Sequence, residues 1–247
     1  LRGERLPRRV DDLARIFVVS LSITTLSSAL LVFGVSRVPA GVASLMSSTM
    51  PLFTAVLSVL LLHASIGPVA AVGLAVGFVG TAVLAAPSLS GETATVGIVA
   101  LAVSALAWAF GTVFMKWKDF SRVTPVMLVG VQLVMSAMVL VPLALLIEGT
   151  GETEWGWGLF VPLLYAAIPA NAVTFALLAT VVQRATPTQA AASAYLIPVF
   201  GVFFGWLLRG EVLGVVEFLG GLLVVAGVYL LVSANASQIE RAQASAS

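Results

Sequence analysis

The sequence is poor in charge and contains no cysteine. Of its 247 residues, 9% are charged and 60% are hydrophobic, whereas about 25% of the residues of a soluble domain are charged. Because so few charges cannot cover a water-soluble particle of 25.5 kDa, we expect most of the chain to lie in lipid. The absence of cysteine excludes disulfides and thiolate metal or redox sites.

Residues that would carry enzymatic chemistry are also scarce. The single histidine cannot form a zinc site without cysteine or further histidines, and no phosphate-binding Gly-x-x-x-x-Gly-Lys-Ser/Thr loop is present. No aspartate lies within an apolar run, as intramembrane proteolysis or a magnesium site would require. We therefore expect no enzymatic activity, no cofactor and no metal. The net charge of +1 gives no reason to expect nucleic acid as a partner.

Long apolar runs take up most of the chain. Eight of them are bounded by charge, proline or glycine, and each approaches the length that crosses a hydrocarbon core of about 30 Å as a helix. They are Ile16–Val35, Gly41–Leu62, Val69–Ala86, Val96–Lys116, Val126–Ile147, Leu159–Val182, Gln189–Leu208 and Val215–Val232. The runs lack the polar and apolar alternation of membrane strands. The predicted fold is an all-α, polytopic integral membrane bundle with eight transmembrane helices.

The chain matches itself at an offset of 147 residues, the difference between Pro198 and Pro51. The same offset aligns Arg37 with Arg184, Phe53 with Phe200, Gly67 with Gly214, Gly73 with Gly220, and Gly80 with Gly227. This offset aligns the first three predicted helices with the last three, a shift of five spans. Because five is odd, the second copy crosses the membrane in the opposite orientation. Inverted repeats are typical of secondary transporters. Pro51 and Pro198 both fall inside predicted helices, which we expect them to kink.

The repeat divides the chain and indicates an incomplete first copy. The divisions are residues 1–90 for the remainder of a first repeat, 91–234 for the second repeat, and 235–247 for a polar, frayed cytoplasmic tail. Counterparts of the fourth and fifth helices would precede residue 1, so a design of twice five helices needs about 50 to 60 further residues. Leu1 in place of methionine fits a chain that begins part-way. The alternative is an unusual start codon and a genuine eight-span protein.

Three stretches carry a resemblance to a known family. They are PAGVASLMSSTMPLFTAVLSVLLL, TPTQAAASAYLIPVFGVFFGWLLRGEV and ALAWAFGTVFMKW. Together they resemble the EamA-type members of the drug/metabolite transporter superfamily. Members of this type have ten helices, and the first two have no counterpart in this chain. The Gly-Glu pair expected in each repeat is present as Gly210-Glu211 and replaced by His63-Ala64. The resemblance implies ATP-independent export or exchange of small metabolites, often amino acids, across the bacterial inner membrane.

Polar residues inside the apolar runs are candidates for a substrate cavity, because polar groups in a bilayer face a bundle interior or water. The repeat pairs Thr24 with Asn171 and Ser48 with Tyr195. Pseudo-symmetric polar pairs near the midplane are where an inverted-repeat transporter should bind its solute. The alternative for the small hydroxyl residues is close helix packing with hydrogen bonds to carbonyl oxygens.

Three further residues complete the predicted cavity. Trp108 and Tyr165 would form apolar walls. Gln132 lies one turn from Ser136 on the same helix face, where the amide contacts solute or bonds a neighbouring helix. No charged residue lies at the centre of a predicted span, which favours a neutral or zwitterionic solute.

These features predict a secondary transporter that works by alternating access of two inverted halves. The alternative is a non-transporting membrane scaffold or a truncated, inactive remnant of such a transporter. The expected partners are the lipid bilayer and a small solute, and a homodimer is left open.

The distribution of basic residues predicts the orientation in the membrane. One side collects Arg2, Arg5, Arg8, Arg9, Arg15, Lys116, Lys118, Arg122, Arg184 and Arg241, and the other side has Arg37 and Arg209. Because basic residues accumulate in cytoplasmic loops, both chain ends should be cytoplasmic. A reporter that is active only in the periplasm should therefore be silent when fused after Ser247. An active periplasmic reporter at that position would contradict the topology.

Overall fold

A computed structural model of the chain describes residues 9–87, 92–118, 120, 123–147, 156–166, 200–201, 203–208 and 210–244. Within these ranges the regular structure is helical and no strand occurs, as the apolar runs predict. The helices are α1 (Val10–Val35), α2 (Ala40–Ser47), α3 (Met50–Leu62), α4 (Pro68–Ala85), α5 (Glu92–Trp117), α6 (Pro125–Ile147), α7 (Trp157–Tyr165) and α8 (Val215–Ala244). Residues 200–201 and 203–208 are also helical and are called the 200–208 helix below.

Most of the predicted spans coincide with these helices. Among the described residues, five stretches are long and apolar enough to cross a membrane: Val10–Val35, Ala40–Leu62, Thr93–Trp117, Met127–Ile147 and Val215–Ala234. The third predicted span corresponds to the shorter apolar helix Pro68–Leu84. The sixth span begins on α7 and the seventh ends on the 200–208 helix. Their remaining residues lie outside the described ranges. The fold is thus a polytopic helical membrane bundle.

Helix α1 changes its hydrogen-bonding pattern in the middle. Ser20–Leu26 forms a π-helical segment between two α-helical segments. The hydrogen bonds of a π-helix join residues five apart rather than four, and in this segment Ser20 and Thr25 both face α6. The apolar pattern of the sequence gives no sign of this change.

The second predicted span is interrupted rather than continuous. A turn at Ser48 and Thr49 separates α2 from α3, and Pro51 lies in the first turn of α3, where a missing N–H costs little. The Ser48 hydroxyl donates to the carbonyl oxygen of Ser44 at 3.0 Å, and the Thr49 hydroxyl donates to that of Met46 at 2.7 Å. The helix is therefore interrupted at the position where the sequence predicts a kink. Pro198, the other predicted kink, lies outside the described residues.

Helices α4 and α8 make the most extensive contact between any two described helices. A Cβ atom on Gly73 would lie 2.7 Å from the backbone nitrogen of Leu231, and one on Gly80 would lie 2.5 Å from that of Val224. The two backbones therefore touch, and early α4 meets late α8, so the helices are antiparallel. Since α8 is the repeat counterpart of α4, this is the relation that an inverted repeat requires.

The two repeats also share an unusual backbone conformation. His63, which ends α3, has a φ of 52°, and Gly210, which follows the 200–208 helix, has a φ of 63°. These positions are separated by the repeat offset, and no other described residue has a positive φ. The left-handed conformation is easy for glycine but uncommon for histidine. The helix thus ends in the same backbone conformation in both copies, although the residue is histidine in one and glycine in the other.

Most of the segment predicted to be a polar tail is helical in the structure. Helix α8 continues to Ala244, so residues 235–244 extend the last transmembrane helix. The reason is that this segment is rich in good helix formers, alanine, glutamine, glutamate and arginine, and has neither glycine nor proline to end a helix.

The contact between α4 and α8 predicts the effect of adding one methyl group. Gly80→Ala should lower the free energy of unfolding by about 1–3 kcal/mol, because the new Cβ must push the two backbones apart. Gly130→Ala on α6 is the matched control, since a Cβ there would meet nothing within 4 Å, and it should leave stability unchanged or raised. Thermal unfolding in detergent measures both, and equal stability of the two variants would contradict the close contact.

Candidate functional site

A cavity of about 440 Å³ lies between α3, α5 and α8. Its described lining consists of Met50, Pro51, Thr54, Ala55, Ser58, Ala64, Ser65, Ile66, Trp108, Thr112, Lys116, Leu231 and Val232. Ala64, Ser65 and Lys116 are exposed to solvent, so the mouth of the cavity is at the end of the bundle where α3 and α5 end. A volume of this size can hold a small metabolite.

Two rows of side chains form the facing walls. On α5, Trp108, Thr112 and Lys116 recur every fourth residue and therefore lie on one helix face. At a rise of 1.5 Å per residue, this row extends about 12 Å from the indole to the lysine. On α3, Thr54 and Ser58 form a shorter row one turn after the interruption. The cavity thus has an aromatic inner part and a cationic mouth.

The hydroxyl groups of the walls donate to their own helices. The Thr54 hydroxyl donates to the carbonyl oxygen of Met50 at 2.9 Å, that of Ser58 to Thr54 at 2.7 Å, and that of Thr112 to Trp108 at 2.9 Å. A hydroxyl group has one proton and two lone pairs. These three side chains therefore offer hydrogen-bond acceptors to a solute, whereas the Lys116 ammonium offers donors and a positive charge.

The opposite end of α2 and α3 is packed against the second repeat. The backbone N–H of Gly41, in the first turn of α2, donates to Oε2 of Glu211 at 3.2 Å. A carboxylate is favourable there because the first N–H groups of a helix have no partner within the helix. A Cβ on Gly205 would lie 3.7 Å from that of Ala40, and Gly201 lies directly against Ser44. The 200–208 helix therefore closes this end of α2.

A second cavity, of about 320 Å³, lies beside the 200–208 helix. Its described lining is Ala40, Phe200, Gly201, Phe204, Gly205 and Leu208, none of which has a polar side chain. It offers no group that would orient a polar solute.

Two of the predicted cavity residues bond to each other. Gln132 on α6 donates from Nε2 to Oγ1 of Thr24 on α1, and Ser20 donates to the backbone oxygen of Gln132 at 2.7 Å. Thr25 donates to the buried hydroxyl of Ser136 at 3.1 Å. These bonds hold α6 against the π-helical segment of α1. Helix packing, the alternative considered for these residues, is the role that their contacts serve in this conformation.

The remaining predicted residues have different surroundings. Trp108 forms part of the cavity wall. Ser48 is buried at the interruption between α2 and α3, and Tyr165 at the end of α7 is 67% exposed. Asn171 and Tyr195 lie outside the described residues.

The cavity also contains residues that the sequence analysis did not select. Thr112 and Lys116 follow Trp108 at intervals of four residues, and this spacing could have placed them on the same face. Lys116 was assigned only to the basic side of the membrane, because its position at the end of a span agrees with the general distribution of basic residues. Among the described residues, no group of histidine and acidic side chains could hold a metal ion.

Comparison with known proteins decides the family. The model of the EamA-like transporter family matches residues 1–86 and 95–233, which together cover most of the chain. The chain belongs to the EamA-like transporter family. It is therefore a multi-pass membrane protein of a transporter family.

Individual relatives agree with this assignment. The chain is 28% identical to "Uncharacterized transporter YvbV" of Bacillus subtilis, over 94% of this chain and 78% of the relative. It is 28% identical to "Uncharacterized inner membrane transporter YedA" of Escherichia coli, over 94% of this chain and 74% of the relative. The "Probable amino-acid metabolite efflux pump" of Escherichia coli is 26% identical over 78% of this chain and 67% of its own length.

The accessibility of the cavity can be measured with single cysteines, because the natural chain has none. Ser58→Cys should react with a water-soluble maleimide, since Ser58 lines the cavity. Ser136→Cys is the matched control, because Ser136 is 2% exposed and bonded to Thr25, and it should react much more slowly. Thiol modification depends on access of the reagent. Labelling of Ser58→Cys that is as slow as that of the buried control would contradict a water-filled cavity.

Proposed function

We propose that this EamA-family protein is a secondary transporter that exports or exchanges small neutral or zwitterionic metabolites by alternating access. The observation that carries the proposal is the cavity of about 440 Å³, which has its mouth at one end of α3. At the other end of the same span, Glu211 and the 200–208 helix cover α2. A transporter that is open to one side of the membrane needs this combination.

The antiparallel pair of α4 and α8 supports the same mechanism. Two halves related by inversion can exchange conformations, so that the end that is now closed opens and the open end closes. With the orientation expected from the basic residues, the mouth of the cavity faces the cytoplasm. An exporter would take up its solute in this conformation. The name of one relative, a probable amino-acid metabolite efflux pump, supports amino acids and related molecules as the first solutes to test.

The composition of the cavity fits a solute without a large net charge. Hydroxyl oxygens, an indole ring and apolar side chains form most of its described wall, and Lys116 carries the one formal charge among these residues. Nothing in this set hydrolyses ATP or performs covalent chemistry. The energy for transport would therefore come from a solute or ion gradient.

Solute flux in proteoliposomes tests the proposal. The purified protein should exchange at least one member of a panel of amino acids and other small metabolites. Trp108→Ala should lower this flux about tenfold, equivalent to about 1.4 kcal/mol of lost contact with the indole. Trp117→Ala is the matched control and should transport normally, because Trp117 packs against Phe114 with ring centroids 6.1 Å apart and does not line the cavity.

Absence of flux for every solute in the panel would contradict the proposal and favour the scaffold or remnant. An equal loss of flux in the two tryptophan variants would indicate a transporter whose solute pathway lies outside this cavity.

A further inference from the structure

The side chain of Lys116 has no role in the described structure other than its place in the cavity. Lys116 lies on α5 at the mouth of the cavity, one turn beyond Thr112. Among the described residues, no hydrogen bond, ion pair or ring contact involves its ammonium group. The nearby Lys118 differs, since its ammonium lies 3.9 Å from the centroid of the Trp117 ring. Lys118 therefore contacts an aromatic ring, whereas Lys116 faces the cavity.

We infer that Lys116 is a specificity-determining residue that binds a carboxylate group of the transported solute. This inference rests on the proposed function and names the group that the site recognises. A lysine ammonium has three donors and no acceptor, so its natural partner in a solute is an anionic oxygen. The hydroxyls of the two helical rows cannot replace it, because Thr54, Ser58 and Thr112 each use their proton within their own helix.

The neighbours of Lys116 complete a site for a zwitterion. A solute carboxylate bound to Lys116 would place an adjacent ammonium group near the oxygen atoms of Ser58 and Thr112, which are free to accept hydrogen bonds. Beyond these hydroxyls, Trp108, Met50 and Ala55 form an apolar surface that suits an uncharged side chain. The order of cation, acceptors and apolar surface along about 12 Å of α5 matches the order of groups in an amino acid with an apolar side chain.

The mouth of the cavity is also an energetically favourable position for the lysine ammonium group. A charge at the centre of a bilayer is expensive, whereas a lysine near the end of a helix reaches the aqueous interface. Lys116 is exposed, as expected for a lysine at the mouth of the cavity. It would attract anionic groups to the mouth and repel purely cationic solutes.

Binding of matched ligand pairs to the detergent-solubilised protein tests the inference. The probes are phenylalanine, leucine and methionine, each compared with its carboxamide, which keeps the amine and the side chain but lacks the carboxylate. Isothermal titration calorimetry gives both dissociation constants. The natural protein should bind the acids about tenfold more tightly than the amides, the range of a hydrogen bond to a charged group.

Variants separate a specific contact from a general effect of charge. Lys116→Gln should weaken binding of the acids about tenfold and should not weaken binding of the cationic amides, which lose a repulsive neighbour. Lys116→Arg should restore most of the preference, because guanidinium also binds carboxylate. Lys118→Gln is the matched control, since it removes the same charge two residues away, and it should keep the preference of the natural protein.

Several results would overturn the inference. They are equal binding of acids and amides to the natural protein, a preference that survives in Lys116→Gln, and loss of the preference in Lys118→Gln as well. Flux without a preference for carboxylates would overturn it while the proposed function stands. Carboxylate-selective binding without flux of any solute would leave the inference standing and contradict the proposed function. Absence of both binding and flux would overturn both.

Discussion

The direct contact between the backbones of α4 and α8 is the constraint on which the rest of the structure depends. In lipid, no hydrophobic force drives two apolar helices together, so close packing must do so. Glycines at positions 73, 77, 80 and 227 allow the two backbones to touch. Leu52 of α3 then packs against Gly77, at 2.7 Å from where a Cβ would lie, and joins Val224 and Val228 of α8 in one buried cluster. Leu52 thus anchors α3 to the α4 and α8 pair, and α3 forms one wall of the cavity.

The hydrogen bonds of the polar side chains follow from the low dielectric constant of the membrane. Unsatisfied polar groups are costly in a membrane, and Thr54, Ser58 and Thr112 accordingly donate to carbonyl oxygens of their own helices. The amide of Gln132 bonds to α1 instead. What remains for a solute is a set of acceptor oxygens, an indole ring and a cation at the mouth. The cavity can therefore orient a small polar molecule without a buried charge.

The sequence predicts the helical bundle and its inverted repeat because both depend on features that a single sequence shows. Apolar runs reveal the spans, and the residues that recur at the offset of 147 reveal the repeat, whereas the contact of α4 with α8 follows only from the structure. The interruption after Ser48 is foreshadowed only by Pro51, and the π-helical segment of α1 by nothing in its apolar pattern. The spacing of Trp108 and Lys116 places both on one face of α5, but the packing of α3 against that face, which makes it a cavity wall, is visible only in the structure.

The proposed alternating access requires the contact of α2 with the 200–208 helix to open. Ala40→Cys combined with Gly205→Cys tests it, since the Cβ atoms would lie 3.7 Å apart, close to the 3.8 Å typical of a disulfide, and the chain has no other cysteine. Oxidation should stop solute flux in proteoliposomes while solute still binds, and reduction should restore flux. Undiminished flux through the fully oxidised double variant would contradict the account.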